Sequence, residues 1–152
     1  MSMCRMAAPL LTAAVLACST PAHALGMDVP YERFATADSV DWVQVCGRWP
    51  TRKNEGVYRI VHATQYAQSF MYLQWMQRDD NGTLQAVHTQ SIRELNNDHA
   101  EITLTRIACR ATRTGIRITA QASSGHEDTL RSVAIEAGHR PGVYRYTTNP
   151  KR

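Results

Sequence analysis

From about residue 40 onward the chain alternates apolar and polar residues with a period of two, and short turn-forming stretches interrupt the pattern repeatedly. Successive strand side chains point to opposite faces, so this is the pattern of half-buried β-strands. Val43, Val45, Gly47 and Trp49 alternate with Trp42, Gln44, Cys46 and Arg48 in a first strand that ends at Pro50. Gly56 to Ala63 follows, with Tyr58, Ile60 and His62 on one face and Val57, Arg59 and Val61 on the other. Ser69 to Gln77 is a third strand, rich in aromatic residues. Asp79-Asp80-Asn81-Gly82 then gives the strongest short hairpin signal, because Asn and Gly both tolerate positive φ. It leads into a fourth strand, Thr83 to Ile92.

A polar break, Glu94 to His99, precedes the second half. Ala100 to Ala111 alternates Ile102, Leu104, Arg106 and Ala108 with Thr103, Thr105, Ile107 and Cys109. Ile116 to Ala122, Thr129 to Ala137 and Val143 to Thr148 complete the set, each entered through a polar or glycine-rich turn. Roughly eight short strands joined mostly by hairpin-length turns predict an all-β fold, an antiparallel meander forming a small barrel or sandwich. Tyr31 to Thr36, after Pro30, is the one stretch with room for a short helix. Strands do not alternate with helices, which excludes a doubly wound sheet. Gly56-Val57-Tyr58-Arg59 recurs as Gly142-Val143-Tyr144-Arg145. In a closed sheet those two strands would be neighbours, although four residues are too few to argue duplication.

The N-terminus has a different composition. Met1 to Ala24 has the form of a secretory signal peptide: Arg5 supplies a positive start, Met6 to Ala17 is uncharged and mostly apolar, and Ala22-His23-Ala24 is a cleavage site preceded by Pro21. The apolar run is too short to span a bilayer, and no later segment is long enough to stop transfer. Cleavage after Ala24 leaves 128 residues (152 − 24). Val15-Leu16-Ala17-Cys18 offers a second outcome, lipidation at Cys18 as in a bacterial lipoprotein box. Leu16 fits that box poorly, so soluble export is the preferred reading. Domain organisation follows as residues 1–24 signal peptide, 25–39 N-terminal extension and 40–152 a single β domain. With 43% hydrophobic residues, the chain is neither disordered nor collagen-like, and it is too short for two domains with a linker.

Export changes the cysteine count. Cys4 lies in the removed segment and Cys18 is either removed or lipidated, leaving Cys46 and Cys109 as a pair in an oxidising compartment. A disulfide between them closes a separation of 63 residues (109 − 46), a crosslink of about 4 kcal/mol in the chain-entropy model.

No motif for catalysis stands out. G-x-S-x-G, S-x-x-K and P-loop patterns are absent, as are H-E-x-x-H and C-x-x-C, so neither a metal nor a cofactor is expected. Glu94, Asp98, His99, His126 and Asp128 lie in turn stretches and could converge as a polar site, although turn residues of these types ordinarily bond turn backbone groups. The charge is more telling: 17 basic residues against 13 acidic, of which only Lys53 and Lys151 are lysine. Arg106, Arg110, Arg113 and Arg117 flank one hairpin, with Arg131, Arg140 and Arg145 further on. The planar guanidinium suits carboxylate and phosphate ligands. The plainer account of these arginines is a solvated face.

These features lead to the expectation of an exported, periplasmic or envelope binding module. Its partner would be an envelope protein or an anionic envelope component, in the manner of inhibitor or immunity proteins. Nucleic acid is not expected as a partner. A small-ligand carrier with an aromatic-lined cavity, drawing on Tyr144 and Tyr146, is the alternative. A hydrolase using Glu94, Asp98, His99 or His126 ranks third. Oligomeric state is not legible.

Overall fold

The computed structural model describes residues 30–31, 39–51 and 55–150. The signal segment, both processing sites, Cys4, Cys18 and most of the stretch expected as a short helix lie outside the described residues.

Eight antiparallel strands form as the alternation predicts. They are β1 (Val40–Pro50), β2 (Glu55–Gln65), β3 (Gln68–Arg78), β4 (Leu84–Ser91), β5 (Ile102–Thr112), β6 (Gly115–Ser124), β7 (Glu127–Gly138) and β8 (Tyr144–Pro150). They divide into two four-stranded meanders, β1-β2-β3-β4 and β5-β6-β7-β8. The sheets stay open at both edges and pack as a sandwich, which resolves the choice between barrel and sandwich. It also separates the two Gly-Val-Tyr-Arg strands, since β2 is interior to one sheet and β8 is an edge of the other. Among the described residues no helix is long and apolar enough to cross a membrane.

The polar stretch after β4 is what divides the sheet. It is a crossover with a buried centre. Ile92, Leu95 and Asn96 are fully buried there. The Asn96 side chain mimics a strand neighbour to β3: its Oδ1 accepts from Met71 N at 2.7 Å, and its Nδ2 donates to Met71 O at 2.9 Å. Gln68 Nε2 donates to the carbonyls of Leu95 and Asn97, both at 3.0 Å, while its Oε1 accepts from Ile102 N. Ser69 Oγ accepts from Leu104 N at 3.0 Å. These bonds satisfy buried polar groups and carry the chain from one layer to the other.

Of several register shifts, two change which side chains of β1 and β5 reach the core. In β1, Gly47 adopts φ +69° at a register shift between Cys46 and Arg48. One extra residue reverses the facing of everything beyond it, so Trp49 joins Cys46 in the core. Strict alternation places those two on opposite faces. Glycine suits the position twice over: its φ is left-handed, and an added Cβ would lie 2.9 Å from Ile116 Cγ2 on the facing sheet. In β5, a second shift lies between Thr105 and Ala108, with Arg106 at φ +52°. It turns both Leu104 and Cys109 toward the core.

The core lies between the sheets. Tyr58, Ile60, Met71, Leu73 and Trp75 from the first meet Ile116, Ile118, Val133 and Ile135 from the second. β3 is buried on both faces: Phe70 and Tyr72 point away from the main core, where Val61, Ala63, Tyr31 and Val40 pack on them. Cys46 and Cys109 are bonded, with Cα atoms 6.2 Å apart, and join edge strand β1 to edge strand β5.

Candidate functional site

Strand register brings charge together at one end of the second sheet. Arg110 pairs with Arg117, Arg117 with Glu136, and Glu136 with Arg145, a single row across β5, β6, β7 and β8. At a strand spacing near 4.8 Å this row spans roughly 14 Å. The β5–β6 and β7–β8 turns lie just beyond it, because Gly115 pairs with Gly138. They add Arg113 and Arg140, both exposed. Five arginines thus face one carboxylate at this corner.

Glu136 anchors two of them. Arg117 Nη1 donates to Glu136 Oε1 at 2.8 Å and Arg145 Nη2 to Oε2. Those bonds, that from Arg145 foremost, hold the carboxyl of Glu136 below its ordinary range, so it stays ionised. Arg110, Arg113 and Arg140 make no ion pair with any described residue and retain their full charge for a partner. Trp75 Nε1 donates to Gly138 O at 3.1 Å and ties the corner to the core.

A hollow of about 370 Å³ opens here, bordered by Thr112, Thr114, Glu136, Gly138, Val143 and Arg145. Gly138, paired with Gly115 across β6 and β7, leaves part of its lining without a side chain. At Gly115 nothing larger fits: φ is +152°, and a Cβ would sit 1.9 Å from Ala137 O.

A second opening, of about 320 Å³, lies at the opposite end of the same sheet, beneath the crossover. Ile102, Ala122, Val133 and Tyr146 line it with Glu94 and Arg131. Glu94 Oε2 accepts from Tyr144 Oη at 2.7 Å; burial first, then this bond, pushes the Tyr144 phenol up to about 12. Burial likewise raises Tyr146.

The residues singled out by sequence are distributed as follows. Arg110, Arg113 and Arg117 converge, whereas Arg106 sits at the β5 bulge several residues back along the edge. Arg140 and Arg145 complete the cluster, which depends on a strand order that composition does not reveal. The turns bearing His99 and His126 do meet, through His126 Nε2 donating to His99 O at 3.1 Å. Glu94 is turned toward Tyr144, Asp98 is exposed in the crossover, and the side chain of Asp128 lies outside the described residues. Ser124 Oγ donates to Ala100 O and accepts from His126 N, so it serves the turn backbone. Among the described residues no group of three or more His, Cys, Asp or Glu side chains could hold a metal ion.

Of the large aromatic set, Trp75, Tyr58 and Tyr72 are fully buried and Trp49 nearly so. Tyr144 and Tyr146 share the inner face of β8 but border different openings. Compared with protein-family models, curated proteins and solved structures, the chain matches none.

Proposed function

We propose that the protein is an exported, non-catalytic binding module that docks an anionic component of the cell envelope. The observation behind this reading is the gathering of Arg110, Arg113, Arg117, Arg140 and Arg145 at one corner of a rigid sheet. Charged groups fixed on paired strands meet a ligand without first being ordered, and a concentrated basic field speeds encounter with anions. The signal-like N-terminus and the Cys46–Cys109 bridge support action in an oxidising compartment, either periplasmic or secreted, with anchoring through a lipidated Cys18 as the second form.

The test is fluorescence anisotropy with labelled heparin and labelled polyglutamate at low and high salt. Saturable binding to heparin that weakens steeply with salt is expected. The combined variant Arg110→Gln, Arg113→Gln, Arg140→Gln should lose at least about tenfold in affinity while melting as the parent does. Binding to polyglutamate alone would redirect the reading to an acidic protein partner. No binding to either polymer, or undiminished binding by the variant, overturns it.

The cleft under the crossover favours a second reading, a carrier of a small apolar ligand. Native mass spectrometry of the freshly purified chain tests it, and a bare protein mass would count against it.

A further inference from the structure

The arginine corner contains a feature that docking to a diffuse negative surface does not call for, a hollow with a glycine floor. We propose that this hollow seats a phosphate monoester, with the phosphate between the Thr112 and Thr114 hydroxyls on one side and Arg145 on the other. The proposal rests on the anionic-ligand reading above and narrows it to one chemistry.

Three observations carry it. The first is the floor. Gly138 lines the hollow without a side chain, and an added Cβ there would meet nothing nearer than Thr114 O at 3.4 Å, so a compact group can reach the backbone at this point. The second is the arrangement of donors. A carboxylate has two coplanar oxygens and is satisfied by a single arginine fork. A phosphate offers three oxygens in a tetrahedral arrangement and is best met by donors on different walls. Here Thr112 and Thr114 come from the β5–β6 hairpin and Arg145 from β8, while the exposed Arg110, Arg113 and Arg140 belong to the same corner of the sheet. The third is size. About 370 Å³ exceeds the need of a bare phosphate and leaves room for a sugar-sized body against Val143. Glu136 lines the same hollow. Its charge is offset by Arg117 and Arg145, and it can accept a bond from a hydroxyl of that body.

The ester could be free in solution or displayed on a lipid, and these sources are distinguished by experiment. Amide resonances of the full chain are followed during titration with inorganic phosphate, glucose 1-phosphate and glucuronate. Sedimentation with phosphatidylcholine vesicles, with and without phosphatidic acid, is measured in parallel. Saturable shifts centred on Gly115 and Gly138 with both phosphates, tightest for glucose 1-phosphate and absent with glucuronate, are the expected result. Co-sedimentation only with phosphatidic acid, competed by glucose 1-phosphate, would assign the lipid source to the same site.

Gly138→Val fills the floor at little structural cost, because the nearest atom to an added Cβ is Thr114 O at 3.4 Å. It should weaken glucose 1-phosphate at least about tenfold while heparin binding persists. Thr112→Val is the second variant, with the same direction expected. Equal shifts with glucuronate, shifts away from the two glycines, or no saturation with either phosphate overturn the proposal. If heparin still binds in that case, the broader docking reading stands; if heparin fails too, both fall.

Discussion

Two buried side chains sit in the core without the partners that such groups ordinarily have. Tyr58 is fully buried, its ring edge-on to Trp75 at 5.9 Å between centroids, and its hydroxyl has no hydrogen-bond partner among the described residues. Burial alone drives this phenol up to about 12. An unpaired buried hydroxyl costs about 1–3 kcal/mol. Tyr58→Phe keeps the ring and removes the unpaired group, so it should raise unfolding stability by about 1 kcal/mol, read from urea midpoints. His62 is 7% exposed and lies over Trp42; its Nδ1 is 3.0 Å from Asp41 Oδ2, yet neither ring nitrogen makes an aligned hydrogen bond with any described residue. The ion pair is therefore a proximity and contributes weakly. Burial pushes the imidazole pKa below 6.5, and the charge of Asp41 only partly opposes this. The folded state thus resists a proton that the unfolded chain accepts. Stability is full above about pH 6.5 and declines as pH falls through the folded value. Urea midpoints between about pH 7 and pH 5 should show this decline, and His62→Phe should flatten it. A pH-independent parent would refute the assignment.

At the scale of elements, the strands were legible because each carries its own alternation and most are bounded by residues with turn chemistry. The Asn81-Gly82 hairpin is a clear case, with Asp79 Oδ1 accepting from the backbone N–H groups of both Asn81 and Thr83. The β2–β3 connection is the contrary one. Tyr66 and Ala67 make a two-residue turn with φ +52° and +62°, a conformation that favours Asn-Gly. Nothing in Tyr-Ala announces it, and the turn is imposed by the uninterrupted register from Gln65–Gln68 to Val57–Met76. Ala67→Gly should relieve about 1 kcal/mol of left-handed strain, visible as a higher melting temperature. The phase of β1 and β5 was illegible for a related reason: a bulge is a one-residue event, and only burial of both Cys46 and Trp49 reveals it. The arginine corner was partly legible. Arg110, Arg113 and Arg117 are close in sequence, whereas Arg140 and Arg145 arrive through the pairing of β7 with its neighbours.

For the molecule as a whole, the sheet ends differ in charge: one is rich in arginine and the other is mixed. Arginines gather in the Arg117–Glu136 row and in the turns just beyond it, while Asp98 and Glu101 are exposed at the crossover end beside Arg93 and Arg131. Binding to a polyanion should therefore proceed end-on, leaving the cleft under the crossover free. Labels placed at the two ends would report this as quenching at one end only. The bridge contributes at this scale as well. Cys46→Ala with Cys109→Ala should lower stability by about 2–4 kcal/mol, measured against the oxidised parent.

Each sheet is a continuous run of chain, so among the described residues the two layers are covalently joined only by the crossover and the bond between Cys46 and Cys109. A single protease cut within Asn97–Ala100, exposed for most of its length, would convert the protein into two fragments that stay covalently joined until a reductant is added. On a denaturing gel the nicked protein should run whole without thiol and as two bands with it. In an environment rich in proteases, the bridge thus turns a cleavage that would separate the halves into one that the molecule survives.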